Sequence, residues 1–525
     1  MKWGPEWIRS YKRAWLPGDL TAGLIVTVLL IPQSLAYAML AGLPPQAGLY
    51  ASILPLVAYA AFGTSMTLAV GPVAVVSLMT ASALQPLAAA GSPEYVALAV
   101  QLALLSGAML LAFGALRLGF IAQFLSQPVV GGFIAGSAIL IAFSQAKPLL
   151  VNAPTAAFGI GSVVFLVAAR RYVPGVAGKL APMAAIVLAT AMMARFDIDG
   201  VSVVGGVQGG LPGFGLPLPT VHGVSALWLS ALLISLVGFV ESISVARALR
   251  RDERIAADRE LIGLGAANVA SALSGGFPVT GGFARSVVNH AAGANTPLAG
   301  VASALLMAGV LAGLTGWFYY LPHAVLAATI IVAVASLLDW RAFREVWRYD
   351  RGDGLAFLAT LAGVLALGVE QGVMVGVVLS LALVVWRGSR PHVAVVGRVP
   401  GTEHFRNVER HDVETLPGLL ALRIDESLFF GNAAAVQDRI ERLLAAHPQT
   451  QRLLLVLSAV NHIDATALAA LEELEQSLEK RGIELCFAEI KGPVMDRLRA
   501  TGLGRRAKDR VFLSTHQAFN VLGGE

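Results

Sequence analysis

The chain has 525 residues, 56% of them hydrophobic and 14% charged, with a formal net charge of +5. A soluble domain is nearer about a quarter charged, and the apolar stretches recur near the ~20 residues that cross a bilayer, which excludes one soluble globule and predicts a membrane protein. The basic excess does not indicate nucleic acid, because it collects at the ends of apolar segments and no nucleic-acid module is readable.

In chain order, Lys2, Arg9, Lys12 and Arg13 precede an apolar run from Leu20 to Ile31, and Ala36-Tyr37-Ala38 imitates a leader cleavage site. Pro32 and Gln33 interrupt that run, so it reads as a broken span and not as a removed leader. Proline takes away a backbone donor and kinks a helix. Gln33 can donate to an anion, with Tyr37 one turn further on; a kinked packing helix with an interhelical glutamine explains the same pattern. The hydropathy predicts fourteen segments near 17–39, 46–62, 68–85, 95–115, 118–146, 155–170, 180–195, 225–247, 259–275, 279–292, 297–316, 321–339, 352–370 and 371–387. Several are too short, or too broken by Gly and Pro, for simple spanning helices.

The charges orient this arrangement. Arg117, then Arg170, Arg171 and Lys179, then Arg247, Arg250, Arg251, Arg254 and Arg259, then Arg341, Arg344, Arg348 and Arg351, then Arg387 and Arg390 all follow even-numbered segments. An inside N-terminus puts each group on the cytoplasmic side, with Lys147 the main exception. Charges become dense after Arg387, which predicts a membrane domain over 1–390 and a cytoplasmic tail over 391–525. In that tail Leu419 to Ile424, Leu453 to Leu457 and Ile483 to Ala488 read as strands. Asn432 to Ala446 and Ala465 to Lys480 read as amphipathic helices, giving a small α/β domain. The single Cys486 lies there, where plain packing accounts for it and no intramolecular disulfide can form.

The halves of the membrane domain echo one another, about 14–195 against 222–387. Val70-Gly71-Pro72-Val73-Ala74-Val75 in the third segment answers Thr280-Gly281-Gly282-Phe283-Ala284-Arg285 in the tenth. Leu125-Ser126-Gln127-Pro128 and Tyr320-Leu321-Pro322-His323 open the fifth and twelfth. Seven segments per half is odd, so the second copy is inverted, and short interrupted segments at matching places mark a transport site at the midplane.

Arg285 stands alone in an uncharged stretch from Gly263 to Leu338. A cation at that depth costs about 2.5–3.5 kcal/mol on insertion scales, so it must face protein or water. It follows Gly281-Gly282 at a helix start, where free N–H groups and partial positive charge hold anions. Pairing with Glu241, or reaching to the interface, is the other explanation. Glu241 sits inside the eighth segment among Gly238, Ser242 and Ser244. A buried carboxylate there can take up a proton or offer oxygen to sodium; exposure, or pairing with Arg247, is the alternative. His290, His323 and Glu370 near segment ends are explained by capping or solvation. No metal spacing, phosphate loop, cofactor motif or nucleophile–base arrangement is readable, so no enzyme activity is expected.

Together these motifs resemble the SulP family of anion permeases, related to prestin and the pendrin-type exchangers. The resemblance is carried by Leu16-Pro17-Gly18-Asp19-Leu20-Thr21-Ala22-Gly23-Leu24, Ile31-Pro32-Gln33-Ser34-Leu35-Ala36-Tyr37-Ala38, Pro44-Pro45-Gln46-Ala47-Gly48-Leu49-Tyr50, the Val70–Val75 motif and Leu125-Ser126-Gln127-Pro128-Val129-Val130-Gly131-Gly132-Phe133. The tail resembles a STAS domain through Phe429-Phe430-Gly431-Asn432-Ala433 and Asn461-His462-Ile463-Asp464-Ala465-Thr466. The resemblance implies a seven-plus-seven inverted repeat with UraA-like core and gate, elevator-like motion, and a homodimer in the bacterial inner membrane. It places the anion among Gln33, Tyr37, Val73, Phe283, Ala284, Arg285 and Ser286, makes Glu241 the coupling position, and makes Thr466 a phosphorylation candidate, although Asp464 and Thr466 also suit a helix N-cap.

The expected function is proton-coupled symport of a small anion, with sodium as the alternative coupling ion. Val73 and Ala284 are apolar where relatives often carry Ser or an aromatic, which tilts the expectation toward a small dicarboxylate such as fumarate, or bicarbonate, over sulfate. An anion channel or exchanger, a voltage-driven motor, and a membrane sensor signalling through STAS are the competing readings. The expected partners are the anion, the proton, membrane lipid and a second copy of the chain.

Overall fold

A computed structural model of the chain describes residues 5–120, 126–173, 178, 180–196, 198–206, 209–215, 221–249 and 255–523. Lys2, Leu125, Lys179, Arg250, Arg251 and Arg254 of the sequence reading lie outside these, as does the side chain of Glu370. The chain forms two compact units, Met1–Ser380 and Leu381–Glu525.

The first unit is helical because a bilayer offers no water to backbone groups, so each must be satisfied within its own segment. Its elements are α1 (Leu16–Leu40), α2 (Pro45–Tyr50), α3 (Leu54–Phe62), β1 (Val70–Gly71), α4 (Ala74–Leu84), α5 (Pro93–Ala115), α6 (Gln127–Leu149), α7 (Ala153–Tyr172) and α8 (Ala181–Phe196). Then follow α9 (Val221–Leu249), α10 (Ala257–Leu273), β2 (Thr280–Gly281), α11 (Phe283–Ala291), α12 (Leu298–Gly313), α13 (His323–Ala335), α14 (Trp340–Tyr349), α15 (Arg351–Leu367) and α16 (Val369–Gly388), whose last turns pass into the second unit. The 23 residues of α5 span about 35 Å at 1.5 Å per residue, enough to cross the hydrocarbon. Phe143, Val164, Leu305 and Val378 are exposed on the outside, the apolar belt that lipid requires. Close helix contacts use small residues: a methyl at Gly107 would lie 2.8 Å from Val269, and one at Gly265 would lie 2.8 Å from Leu111, so α5 and α10 touch almost backbone to backbone.

Three expectations need correction. The segment read as 46–62 is two helices, because Ala51, Ser52 and Ile53 form a turn between α2 and α3. Within the segment read as 118–146, a helix starts at Gln127 after Ser126, with Pro128 in the first turn where a missing N–H costs nothing. The basic stretch after α13 is not a loop: Asp339 accepts from the N–H groups of Arg341 (3.0 Å) and Ala342 (3.1 Å) and starts α14. Charge drew attention there, and the alternation of aromatic and basic residues went unread.

The second unit is an α/β domain. Its sheet has strand order β4-β3-β5-β6-β7-β8, from β3 (Val393–Arg398), β4 (Phe405–Asn407), β5 (Leu419–Ile424), β6 (Arg452–Val456), β7 (Glu484–Ala488) and β8 (Val511–Phe512). β5 through β8 run parallel, and β3 is antiparallel to both of its neighbours. The period of two divides β6. Leu453 and Leu455 join Val436, Ile440, Leu471 and Leu474 of α17 (Ala433–Ala446) and α18 (Ala465–Lys480). Leu454 and Val456 face the other side with Cys486 and Ala518. Glu475 of α18 accepts from Arg506 (2.7 Å) and Arg510 (3.2 Å), pinning the last third of the domain.

Candidate functional site

The site is built on two very short strands. β1 and β2 pair antiparallel, Val70 opposite Gly281 and Gly71 opposite Thr280. The Gly282 N–H extends the pairing to the Ala69 carbonyl at 3.1 Å. Antiparallel chains leave in opposite directions, so α4 and α11 start across the strand pair from each other. Their N-caps are Val73 and Gly282, and neither contributes a side-chain cap. The N–H groups of both first turns therefore have no side-chain acceptor from their own caps, and both helix dipoles present their positive ends.

Arg285 stands in the first turn of α11 and is 2% exposed. Its Nη2 donates to the Pro72 carbonyl at 2.8 Å, bringing the guanidinium across to the start of α4. Its Nε and Nη1 have no hydrogen-bond partner, and no ion pair joins it to Glu241 among the described residues. Pairing and snorkelling are thus both absent. A methyl at Gly282 would lie 2.8 Å from Nη2, and one at Gly71 would collide with Nη1, so both glycines make room for the charge.

The remaining expected residues divide. Tyr37 is buried on α1 and interacts electrostatically with Arg285, as does Glu241. Gln33 is half-buried on the same helix, immediately after Pro32. Val73 is buried at the α4 start, whereas Phe283 (50% exposed) and Ala284 lie open at the α11 start. Ser286 is fully buried, and its Oγ accepts from the Ala69 N–H at 2.9 Å, tying α11 to the chain just before β1. Glu241 is on α9 and lines a small apolar cavity with Val129, Val130, Phe133, Val237 and Val373. It has no hydrogen bond or ion pair among the described residues. Its neighbour Ser242 accepts from the Gly281 N–H (2.9 Å), and Thr280 donates to the Gly238 carbonyl (2.7 Å), so α9 grips β2 beside the carboxylate.

Sequence reasoning missed the groups that hold this frame. Asn268 of α10 bonds both backbone groups of Val279 at 2.9 Å and presents β2. Glu260, fully buried at the start of α10, accepts from Tyr59 Oη (2.7 Å), Thr64 N (2.7 Å), Ser65 N (2.8 Å) and the Thr64 hydroxyl. That fixes the chain just before β1. Asp19 does the same before α12, accepting from Asn295 N (2.7 Å), Thr296 N (3.0 Å) and Thr296 Oγ1 (2.7 Å). The available signal was a carboxylate beside an apolar segment, matched by a Thr-Ser or Asn-Thr pair far away.

In the second unit, Thr466 is exposed in the first turn of α18. Asp464 caps that helix by accepting from Ala467 N at 2.8 Å, and also accepts from Phe430 N at 2.8 Å. The Ala467 N–H, supported by those of Phe430 and Thr466, holds the Asp464 carboxyl below the usual carboxylate range. No cluster of potential metal ligands occurs among the described residues.

The fold and the paired helix starts together define a polytopic helical membrane protein joined to an α/β domain. The sulfate permease family model matches residues 16–153 and 150–360, and the STAS domain model matches 410–518. The chain belongs to the sulfate permease family, whose members are anion transporters and not enzymes. It is 36% identical to the chloroplastic sulfate transporter 4.1 of Arabidopsis thaliana, over 98% of this chain and 82% of that one. It is 35% identical to a probable sulfate transporter of Mycobacterium tuberculosis, over 99% of this chain and 98% of that one. Its fold matches the murine Solute Carrier 26 family member A9 anion transporter in the inward-facing state, with TM-score 0.88 at 22% identity, covering 99% of this chain and 93% of that one. It also matches the transmembrane domain of a cyanobacterium bicarbonate transporter, BicA, with TM-score 0.60 at 24% identity, covering 70% of this chain and 98% of that one.

Proposed function

We propose that this chain is a secondary active transporter that holds a small anion between the starts of α4 and α11 and takes up a proton at Glu241. The observation that carries the reading is Arg285: a cation sealed from solvent, bridging two uncapped helix starts, with two nitrogens unspent. A buried charge left this way is costly, and an oxyanion repays the cost by accepting from the guanidinium and the open N–H groups together. Gln33, Tyr37, Val73, Phe283 and Ala284 surround the anion, and Ser286 supports the floor. Backbone N–H groups suffice to hold an oxyanion, so the apolar Val73 and Ala284 do not count against sulfate. The names of the curated relatives put sulfate first among substrates to test, with bicarbonate and a dicarboxylate such as fumarate next.

Glu241 supplies the coupling in this reading. Its carboxylate faces valine and phenylalanine side chains. Ionised, it resists burial against them; protonated, it can slide past, which ties proton uptake to elevator-like movement of a core against a gate. The transport domain covers 1–390 as two inverted halves, 14–195 and 222–387, and the STAS domain covers 391–525. The protein is a homodimer in a bacterial inner membrane, with its N-terminus and STAS domain in the cytoplasm and Thr466 open to modification.

The test is uptake of labelled sulfate into proteoliposomes, with and without an inward proton gradient, against competing bicarbonate, fumarate and succinate. The gradient should accelerate uptake, and Glu241→Gln should abolish that acceleration while leaving anion binding within about threefold. Uptake indifferent to the proton gradient but driven by sodium would replace the coupling ion. Binding without flux would replace the transporter with a sensor.

A further inference from the structure

The helix α14 carries two stripes with the same spacing. Trp340, Phe343 and Trp347 recur at i, i+3 and i+7, and Arg341, Arg344 and Arg348 repeat that pattern one residue later. At 3.6 residues per turn the stripes lie about 100° apart, side by side along the helix. The aromatic stripe is anchored. Phe343 packs at a tilt against Phe357 of α15 with ring centroids 4.9 Å apart and against Trp347 at 5.9 Å, and meets Trp340 edge-on at 6.3 Å. Trp347 lies against the bare Cα of Gly354, where a methyl would collide with it. This docking fixes the direction of the arginine stripe. All three arginines are exposed, and none of their guanidiniums has a hydrogen bond or ion pair among the described residues.

The nearby carboxylates are largely committed elsewhere. Asp339 caps α14, and Asp350 caps α15 by accepting from Gly352 N (2.7 Å) and Asp353 N (3.1 Å). Only Glu345 shares the helix with the arginines. The helix joins the end of one apolar segment, α13, to the start of another, α15, so the connectivity holds it at a membrane–water boundary. Trp340 (55% exposed) and Tyr349 (94%) have the amphipathic rings that favour headgroup depth.

We propose that α14 lies in the headgroup layer and that Arg341, Arg344 and Arg348 form a binding surface for anionic phospholipid. The aromatic stripe sets depth and orientation; the guanidiniums bind headgroup phosphates, which planar donors suit. This goes beyond the anion hollow and does not depend on it.

The test uses the full-length protein in neutral phosphatidylcholine vesicles doped with brominated phosphatidylglycerol or brominated phosphatidylcholine, which quench nearby tryptophan. The chain has 8 tryptophans, so the signal assigned to α14 is the difference between the wild type and W340F/W347F. That difference should be larger with the anionic lipid, with an apparent affinity ratio of at least about fivefold. The triple change R341Q/R344Q/R348Q should reduce the ratio toward unity, and the matching lysine triple should keep most of it, a control for folding. Equal quenching by both lipids in the wild type overturns the proposal, as does a ratio unchanged by the glutamine triple. Absence of any preference, with the arginines still shielded from dicarbonyl modification, assigns the stripe to a protein partner and likewise overturns it.

Discussion

Arg285 and Glu260 are both sealed inside the membrane unit, yet their surroundings treat them in opposite ways. Glu260 accepts from two backbone N–H groups and two hydroxyls, so its charge is dispersed with no cation needed. Arg285 makes one hydrogen bond and leaves Nε and Nη1 bare. The first arrangement is complete and holds a chain segment in place. The second is incomplete, and on the function proposed above the bound anion completes it. Counting partners around a buried charge therefore separates scaffold from site, where burial alone does not.

The sharpest way to break this contrast is to remove each charge. Glu260→Ala removes the acceptor of the Thr64 and Ser65 N–H groups, each costing about 1–3 kcal/mol when buried and unpaired. Thermal unfolding in detergent should move down by several degrees, and anion binding should weaken with it because β1 loses its anchor. An unshifted transition would show that these donors find water. Arg285→Met should do the reverse. Replacing an uncompensated buried cation with an apolar chain of similar length relieves desolvation, so the anion-free protein should unfold at a higher temperature. It should also lose the stabilisation that sulfate gives the wild type, with direct titration reading roughly ten- to hundredfold weaker binding. Unchanged affinity would remove Arg285 from the site.

A milder change sharpens the comparison by leaving the charge and moving it. Gly282→Ala puts a methyl 2.8 Å from Nη2, the far end of a flexible side chain, so the guanidinium must shift to make room. Anion affinity should fall about three- to tenfold, with yield and unfolding temperature close to wild type. Equal loss of stability would mean that the glycine serves packing alone.

The smallest effects belong to the STAS unit, where charges are exposed or paired. Burial works against ionisation of Asp425, but hydrogen bonds from Arg423 and His392 outweigh it and hold the carboxyl below its usual range; Asp464 is held low by the Ala467 N–H. A lowered folded value contributes stability above the ordinary carboxylate range, about pH 4, and that contribution disappears as pH falls through the folded values. Unfolding followed by circular dichroism should show this domain weakening slightly on acidification. Burial also pushes the Cys486 thiol up to about 11. Iodoacetamide should leave it unlabelled at neutral pH until the domain unfolds.

Much of this molecule was legible from local pattern. The spans follow from apolar length, the strands Leu419–Ile424 and Arg452–Val456 from their apolar runs, and the helix over Ala465–Lys480 from its period and its Asp464 cap. Arg285 stood out because a lone arginine in a long uncharged stretch is expensive to bury. Other features resisted. Glu260 and Asp19 looked like ordinary charges at segment ends because their partners lie 195–201 and 276–277 residues away. Ser286 looked like a ligand donor, and only the structure showed that its oxygen also accepts from the Ala69 N–H, 217 residues away. The helix over Trp340–Tyr349 was masked by its own charge, since counting arginines conceals their spacing.

The sequence by itself determined that the chain crosses a membrane repeatedly, that its cations gather at the ends of apolar segments, and that an α/β domain follows. These are properties of composition and period, written within a few turns of chain and enforced by the cost of unpaired backbone in lipid. Only the tertiary structure decided that Val70-Gly71 pairs with Thr280-Gly281 and that Arg285 reaches Pro72, 213 residues away. Such meetings follow from many weak long-range contacts acting together, and no local stretch of sequence encodes their sum.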